Sequence, residues 1–114
     1  MALVGELGSG KTTFVQGLAS ELGVKRIISP TFIIMRSYRL PDKTKTLYHL
    51  DFYRFEKNIK GELENLGIAG IWRKPENIAL IEWADKAKGL LPDGTWYINF
   101  EYLEENVRRI IIQK

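Results

Sequence analysis

The residues whose types and spacing could do chemistry begin almost at the first residue. Gly5-Glu6-Leu7-Gly8-Ser9-Gly10-Lys11-Thr12-Thr13 satisfies G-x-x-x-x-G-K-[ST] in full, between an apolar run (Ala2-Leu3-Val4) and an amphipathic segment. That strand–loop–helix setting is the one the motif requires. Glycines at 5, 8 and 10 let the backbone turn tightly and aim successive N–H groups inward, an anion nest at a helix N-terminus. Lys11 would set its charge against the β- and γ-phosphates, exposed to them rather than to the core, and the Thr12 hydroxyl would ligate magnesium. The loop reads as a nucleotide-binding P-loop.

Two acids stand where such a loop needs them. Asp51 ends the mostly apolar run Leu47-Tyr48-His49-Leu50, and Glu82 ends Ile78-Ala79-Leu80-Ile81. Ligands of α/β sheets sit in the crevice beyond the carboxyl ends of the strands, so a carboxylate there can hold magnesium or orient an attacking water. The pattern leaves open which acid does which, and each could instead cap a neighbouring loop amide. The candidate catalytic residues are Lys11, Asp51 and Glu82. His49 is the sole histidine. Standing two residues before an aspartate is poor zinc geometry without other ligands, and His49 reads as a structural histidine with its hydrogen bonds satisfied. Trp83 could stack near a nucleotide or serve as an ordinary core tryptophan.

These residues need elements to position them. Ala2–Gly5 reads as a core strand on which the chain opens, which fits either a natural short form or a piece of a longer chain. Phe14, Val15, Leu18, Ala19 and Leu22 recur at helical spacing, with Gly23 as the stop. Ser29-Pro30-Thr31-Phe32 then precedes a β-rich run from Ile33 to Leu40. Its two hydroxyls suit either a loop that senses the γ-phosphate or a plain strand-entry turn. Pro41-Asp42-Lys43 is a turn signal, and Thr46–Asp51 returns as a strand, so an antiparallel hairpin joins the sheet. Leu63 and Leu66 share a short helical face ended by Gly67. Ile68–Trp72 is apolar and broken by Gly70. Ile78–Trp83 reads as a buried strand. Trp96, Ile98, Phe100 and Tyr102 alternate, turn at Glu104-Glu105-Asn106 and return through Val107–Ile112 as a C-terminal hairpin.

Composition bounds the rest. A chain of 114 residues is read as one domain, residues 1–114, with one core. Hydrophobic content of 45% and charged content of 27% are those of a soluble globular protein. The absence of cysteine excludes disulfides, thiolate metal ligands and a thiol nucleophile. No apolar run is long enough to span a membrane and no signal-peptide core is present, so a cytoplasmic protein without a membrane partner is expected. The net charge of +3 is carried by scattered pairs, Lys25-Arg26, Arg73-Lys74 and Arg108-Arg109, which a solvated surface explains as well as an RNA-binding stripe. A small-molecule kinase would want a lid and an acceptor pocket. A GTP switch would want N-K-x-D, a tetrapeptide not found in this sequence.

Taken together, GELGSGKTT, SPTF, YHLDFYR (Tyr48–Arg54), ELENLGI (Glu62–Ile68) and IEW (Ile81–Trp83) resemble the TsaE (YjeE) family in order and approximate spacing. The resemblance spans essentially the whole chain. It implies an α/β, P-loop NTPase-like three-layer fold, a mixed sheet with antiparallel hairpins, from which the family's N-terminal strand–helix segment is missing; part of that segment helps frame the adenine. It implies ATP and magnesium as ligands, and a weak ATPase serving threonylcarbamoyladenosine formation at position 37 of tRNA with TsaB and TsaD, tRNA being met only indirectly. Carried over by position, Gly8, Ser9, Gly10, Lys11, Thr12 and Thr13 would hold phosphates, and Thr12 and Glu82 would look after magnesium. Asp51 would be a further acid essential to hydrolysis, and Trp83 would lie near the site. Arg108 best matches an arginine that approaches the nucleotide, with Arg109 close in register. The alternative is a small P-loop kinase or nucleotide switch unrelated to tRNA.

Overall fold

The computed structural model describes all residues except 7, 8, 26, 28–34, 42, 43, 54–58 and 88. The described strands are β1 (Ala2–Val4), β2 (Met35–Arg39), β3 (Thr46–Asp51), β4 (Asn77–Glu82), β5 (Tyr97–Glu104) and β6 (Val107–Gln113). Three helices, α1 (Lys11–Glu21), α2 (Ile59–Asn65) and α3 (Ile68–Trp72), and a 3-10 turn at Ala84–Ala87 complete the described elements.

The strands form one sheet in the order β2-β3-β4-β1-β5-β6. β1, β3, β4 and β5 run parallel, while β2 and β6 close the two edges as antiparallel hairpin strands. Although it comes first in the chain, β1 lies in the interior between β4 and β5, because both neighbours arrive from later in the sequence.

Side-chain alternation divides the core into two. Leu3, Leu47, Leu80, Ile98 and Phe100 face one way and pack with Val15 and Ala19 of α1. Ala2, Leu50, Phe52 and Ile81 face the other way and pack with Leu63, Ile68 and Ile71 of α2 and α3 and with Ala84 and Ala87. Covered on both faces, the parallel strands read as nearly continuous apolar runs. The arrangement is the expected three-layer, mixed-sheet, P-loop type.

One expectation fails locally. Gly70 does not break Ile68–Trp72, which forms α3 straight through it. A glycine inside a helix costs only about 1 kcal/mol relative to alanine. Burial of Ile68 and Ile71 on either side of it offsets that cost.

Four parallel strands share one carboxyl edge. Gly5 follows β1 there, Asp51 and Glu82 end β3 and β4, and the β5–β6 turn delivers Asn106 and Arg108. The topology alone gathers the predicted site residues in the crevice where α/β sheets bind ligands.

Candidate functional site

The site starts with two glycines. At Gly5, φ is +157°, and a Cβ would stand 2.8 Å from the Phe100 carbonyl oxygen and 2.8 Å from Ser9 Oγ. Only hydrogen fits where the loop leaves β1 beside β5. At Gly10, φ is +107°, and this residue caps α1 without a side-chain hydrogen bond. The first helical amides therefore have no side-chain acceptor from their cap, and no acid lies in the first turn to offset the positive end of the helix dipole. Ser9 adds a buried hydroxyl with no hydrogen-bond partner among the described residues.

Lys11 opens α1 beside the loop. It is 5% exposed, not displayed toward solvent. Its Nζ donates to the Gly5 carbonyl and lies 3.7 Å from the centroid of the Trp83 ring. Burial holds its ammonium below the usual lysine range, against the opposing pull of Glu82, Asp51 and Asp85. The charged tip thus lies beside Trp83, in a cleft that Asp51 and Glu82 also line.

The two acids are lateral neighbours. Asp51 and Glu82 pair in register on adjacent parallel strands. Alternation puts both on the face that carries α1, beside the P-loop. Glu82 is buried, and its Oε2 lies 2.6 Å from Nε2 of buried His49. Asp51 is half-buried and accepts a 2.9 Å hydrogen bond from the Tyr53 amide. Burial raises the Asp51 carboxyl above its ordinary range, and the Glu82 charge adds to the rise; the Tyr53 amide, His49 and Lys11 pull the other way. The cap reading of Asp51 is thus realised without removing the residue from the cleft.

Trp83 follows β4 with φ at +57°, outside the region a bulky residue normally occupies. The conformation is held by the 3-10 turn that begins next, where Ala84 and Ala87 are fully buried and the Lys86 amide donates to the Trp83 carbonyl at 3.2 Å. Strained residues held by a rigid surround cluster at binding sites. The ring packs partly on the core and meets Tyr53 at 5.1 Å between centroids.

A cleft of about 790 Å³ joins these groups. Ser9 to Thr13 line it together with Asp51, Glu82 and Trp83, as do Phe14, Phe100, Asn106, Arg108 and Ile110. Strand alternation separates the two arginines. Arg108 faces the cleft, its guanidinium 4.2 Å from the Tyr102 ring centroid. Arg109 points to the other face and pairs with exposed Glu101 at 3.3 Å.

Thr12 is exposed on the first turn of α1 and lines the same cleft as Glu82 and Asp51. A hydroxyl and carboxylates are the hard oxygen donors magnesium takes, with phosphate and water supplying the rest. Among the described residues no group of three or more His, Cys, Asp or Glu forms a self-sufficient metal cage. Gly8 and the Ser29–Phe32 segment lie outside the described residues.

A sequence model for the family "Threonylcarbamoyl adenosine biosynthesis protein TsaE" matches residues 1–111. The chain belongs to the TsaE family. The tRNA threonylcarbamoyladenosine biosynthesis protein TsaE of Haemophilus influenzae is 35% identical over 104 residues, spanning 90% of this chain and 63% of that protein. Its namesake from Bacillus subtilis is 38% identical over 111 residues, spanning 96% of this chain and 66% of the relative. The crystal structure of YdiB from Bacillus subtilis superposes with a TM-score of 0.69 at 31% identity, covering 96% of this chain and 63% of that one. The chain thus spans a little under two thirds of these TsaE relatives. Among the described residues no helix is long and apolar enough to cross a membrane.

The contact that sequence reading missed is the one between His49 and Glu82. Its signal was present: a polar residue in the middle of an apolar strand, two positions before the acid and so on the same face.

Proposed function

We propose that this chain binds magnesium-ATP in the cleft and hydrolyses it slowly, as an accessory component of threonylcarbamoyladenosine formation on tRNA that works through TsaB and TsaD. The observation that carries the reading is the meeting, at one sheet edge, of a glycine-built anion cradle, Lys11 and two register-paired carboxylates. The residues fit the ligand: Gly5 leaves a space that a Cβ would fill, and the α1 amides offer donors without a competing cap. Ser9 to Thr13 would bind the phosphates, Lys11 would meet their charge, and Thr12 with Glu82 would hold magnesium. Magnesium held there would supply positive charge to offset that of the phosphates. Asp51, raised toward the useful range for a base, would orient water and accept its proton. Phe14, Phe100 and Ile110 offer an apolar face for the base, and Arg108 approaches from the hairpin.

Turnover by the isolated chain is expected well below the roughly 10 s⁻¹ median of enzymes. Association with purified TsaB and TsaD should differ between ATP, ADP and no nucleotide, because a ligand shifts an equilibrium only by binding its states unequally. Titration of the four nucleoside triphosphates, with and without magnesium, tests the site. Failure of ATP to bind in any condition would refute the reading.

The Asp51→Asn variant separates chemistry from architecture. An asparagine oxygen can still accept from the Tyr53 amide, while the carboxylate repulsion from Glu82 disappears. The raised Asp51 carboxyl means the folded chain binds that proton more tightly than the unfolded chain. Its ionised form therefore opposes folding above the ordinary carboxylate range. Melting near neutral pH should show a midpoint unchanged or higher, and single-turnover assays a larger loss in hydrolysis than in ATP affinity. A lower midpoint with parental turnover would return Asp51 to a purely structural role.

A further inference from the structure

The sheet face under α1 is apolar along β3 and β4 except where the site begins: Leu47 and Leu80 are fully buried, and His49 sits between Leu47 and Asp51 on the same face. Leucine would suit position 49 for packing alone. Histidine there leaves Nδ1 buried without a hydrogen-bond partner among the described residues, a cost that apolar side chains avoid. What the imidazole gains is one contact, from Nε2 diagonally to Oε2 of Glu82 at 2.6 Å, with side-chain exposures of 2% and 8%.

We propose that His49 is a positioning residue: its Nε2–H donates to Glu82 Oε2 and fixes the carboxylate so that Oε1 is presented to magnesium. This rests on the reading of Glu82 as a magnesium-holding residue. Oε2 of Glu82 is committed to His49, which leaves Oε1 as the oxygen to present to a ligand. The commitment has a second effect. Lys11 lies close enough for the Glu82 charge to act on it. A carboxylate released from His49 could turn onto the Lys11 ammonium, and each would then be withdrawn from the ligand it serves. Carboxylates that ligate metals are themselves oriented by hydrogen bonds from behind, and loss of such partners typically costs about 10- to 100-fold in metal affinity.

The geometry also states which nitrogen matters. A glutamine amide nitrogen reaches the place of Nε2, while an asparagine amide nitrogen stands nearer Nδ1. The test measures ATP affinity with magnesium and with EDTA, and the magnesium concentration for half-maximal hydrolysis, in the parent chain and in His49→Leu, His49→Gln and His49→Asn. In His49→Leu the magnesium requirement should rise about tenfold or more, with ATP affinity in EDTA near parental. Glutamine should recover most of the loss and asparagine little. In a Glu82→Gln background, His49→Leu should add nothing to the magnesium requirement.

A parental magnesium requirement in His49→Leu, equal losses with and without magnesium, or equal rescue by asparagine and glutamine would overturn the proposal. If His49→Leu fails to fold, the glutamine and asparagine chains decide it. If the parent chain itself shows no magnesium-dependent ATP binding, the magnesium reading of the site fails and this assignment with it. That outcome is visible before any variant is made.

Discussion

Replacement of Lys11 by methionine should lower ATP affinity at least about tenfold, the equivalent of one charge-assisted contact of roughly 1.5–3 kcal/mol, without lowering the thermal midpoint. The second half of that expectation comes from the structure. Lys11 is buried, and its ammonium is held below the usual lysine range because burial outweighs Glu82, Asp51 and Asp85. The folded chain therefore holds this proton less firmly than the unfolded chain, and at neutral pH the charge opposes folding. Methionine keeps an unbranched apolar side chain of similar length and drops the cation, with its hydrogen bond to the Gly5 carbonyl and its contact over the Trp83 ring. Alanine removes the stem as well, so Lys11→Ala should lose the same affinity and some stability. A site that keeps a residue at the expense of its own fold is a site under functional demand. Calorimetric titration with ATP and a melting curve, run on both variants, check the pair of effects. Parental ATP affinity in a folded Lys11→Met chain would mean the loop is not a phosphate cradle.

Much of this candidate site is legible in the sequence, and the reasons differ by residue. The P-loop signals itself because its chemistry is local: glycine, lysine and threonine at fixed spacing next to an apolar run. Asp51 and Glu82 were legible because parallel strands put their carboxyl ends at one edge, and both acids end apolar runs. Their lateral pairing, Asp51 opposite Glu82, was not, since register between strands far apart in sequence depends on how the whole sheet closes. The partner of His49 is not legible for the same reason: it lies 33 residues away. The arginine pair was resolved by strand alternation once the β5–β6 register was fixed, Tyr102 opposite Arg108 and Glu101 opposite Arg109. The contact of the Lys11 ammonium with the Trp83 ring is not legible in the sequence, because the two residues are far apart along the chain. Gly70 misled because local propensity is a small term beside the burial of Ile68 and Ile71.

A methyl group at Gly5 should be among the most damaging single changes in the chain, greater than the same change at Gly10. The Gly5→Ala Cβ would stand 2.8 Å from Ser9 Oγ, which can rotate away, but also 2.8 Å from the Phe100 carbonyl oxygen and 3.0 Å from Phe100 Cβ. The carbonyl belongs to the backbone of β5, the strand paired with β1 through Val4 opposite Asn99. Relief requires the sheet to part where the phosphate loop departs, and φ of +157° adds strain of its own for any L residue. Overpacking of this kind costs about 1–3 kcal/mol and the backbone conformation a similar amount. The sum is a large fraction of the 5–15 kcal/mol, roughly, that holds an ordinary domain folded. At Gly10 an added Cβ would meet only Phe100 Cδ2, at 3.9 Å, leaving the φ of +107° as the main penalty. Gly10→Ala should therefore melt less than Gly5→Ala, while still turning the first amides of α1 away from a phosphate. Thermal melts should rank parent above Gly10→Ala above Gly5→Ala, with a fall of roughly ten degrees or more for the last. ATP titration of the folded fraction should show both weakened. A Gly5→Ala chain that melts with the parent and binds ATP as well would show that the β1–β5 junction is not the rigid wall of this cleft. The close approach of Phe100 would then have no part in shaping the loop.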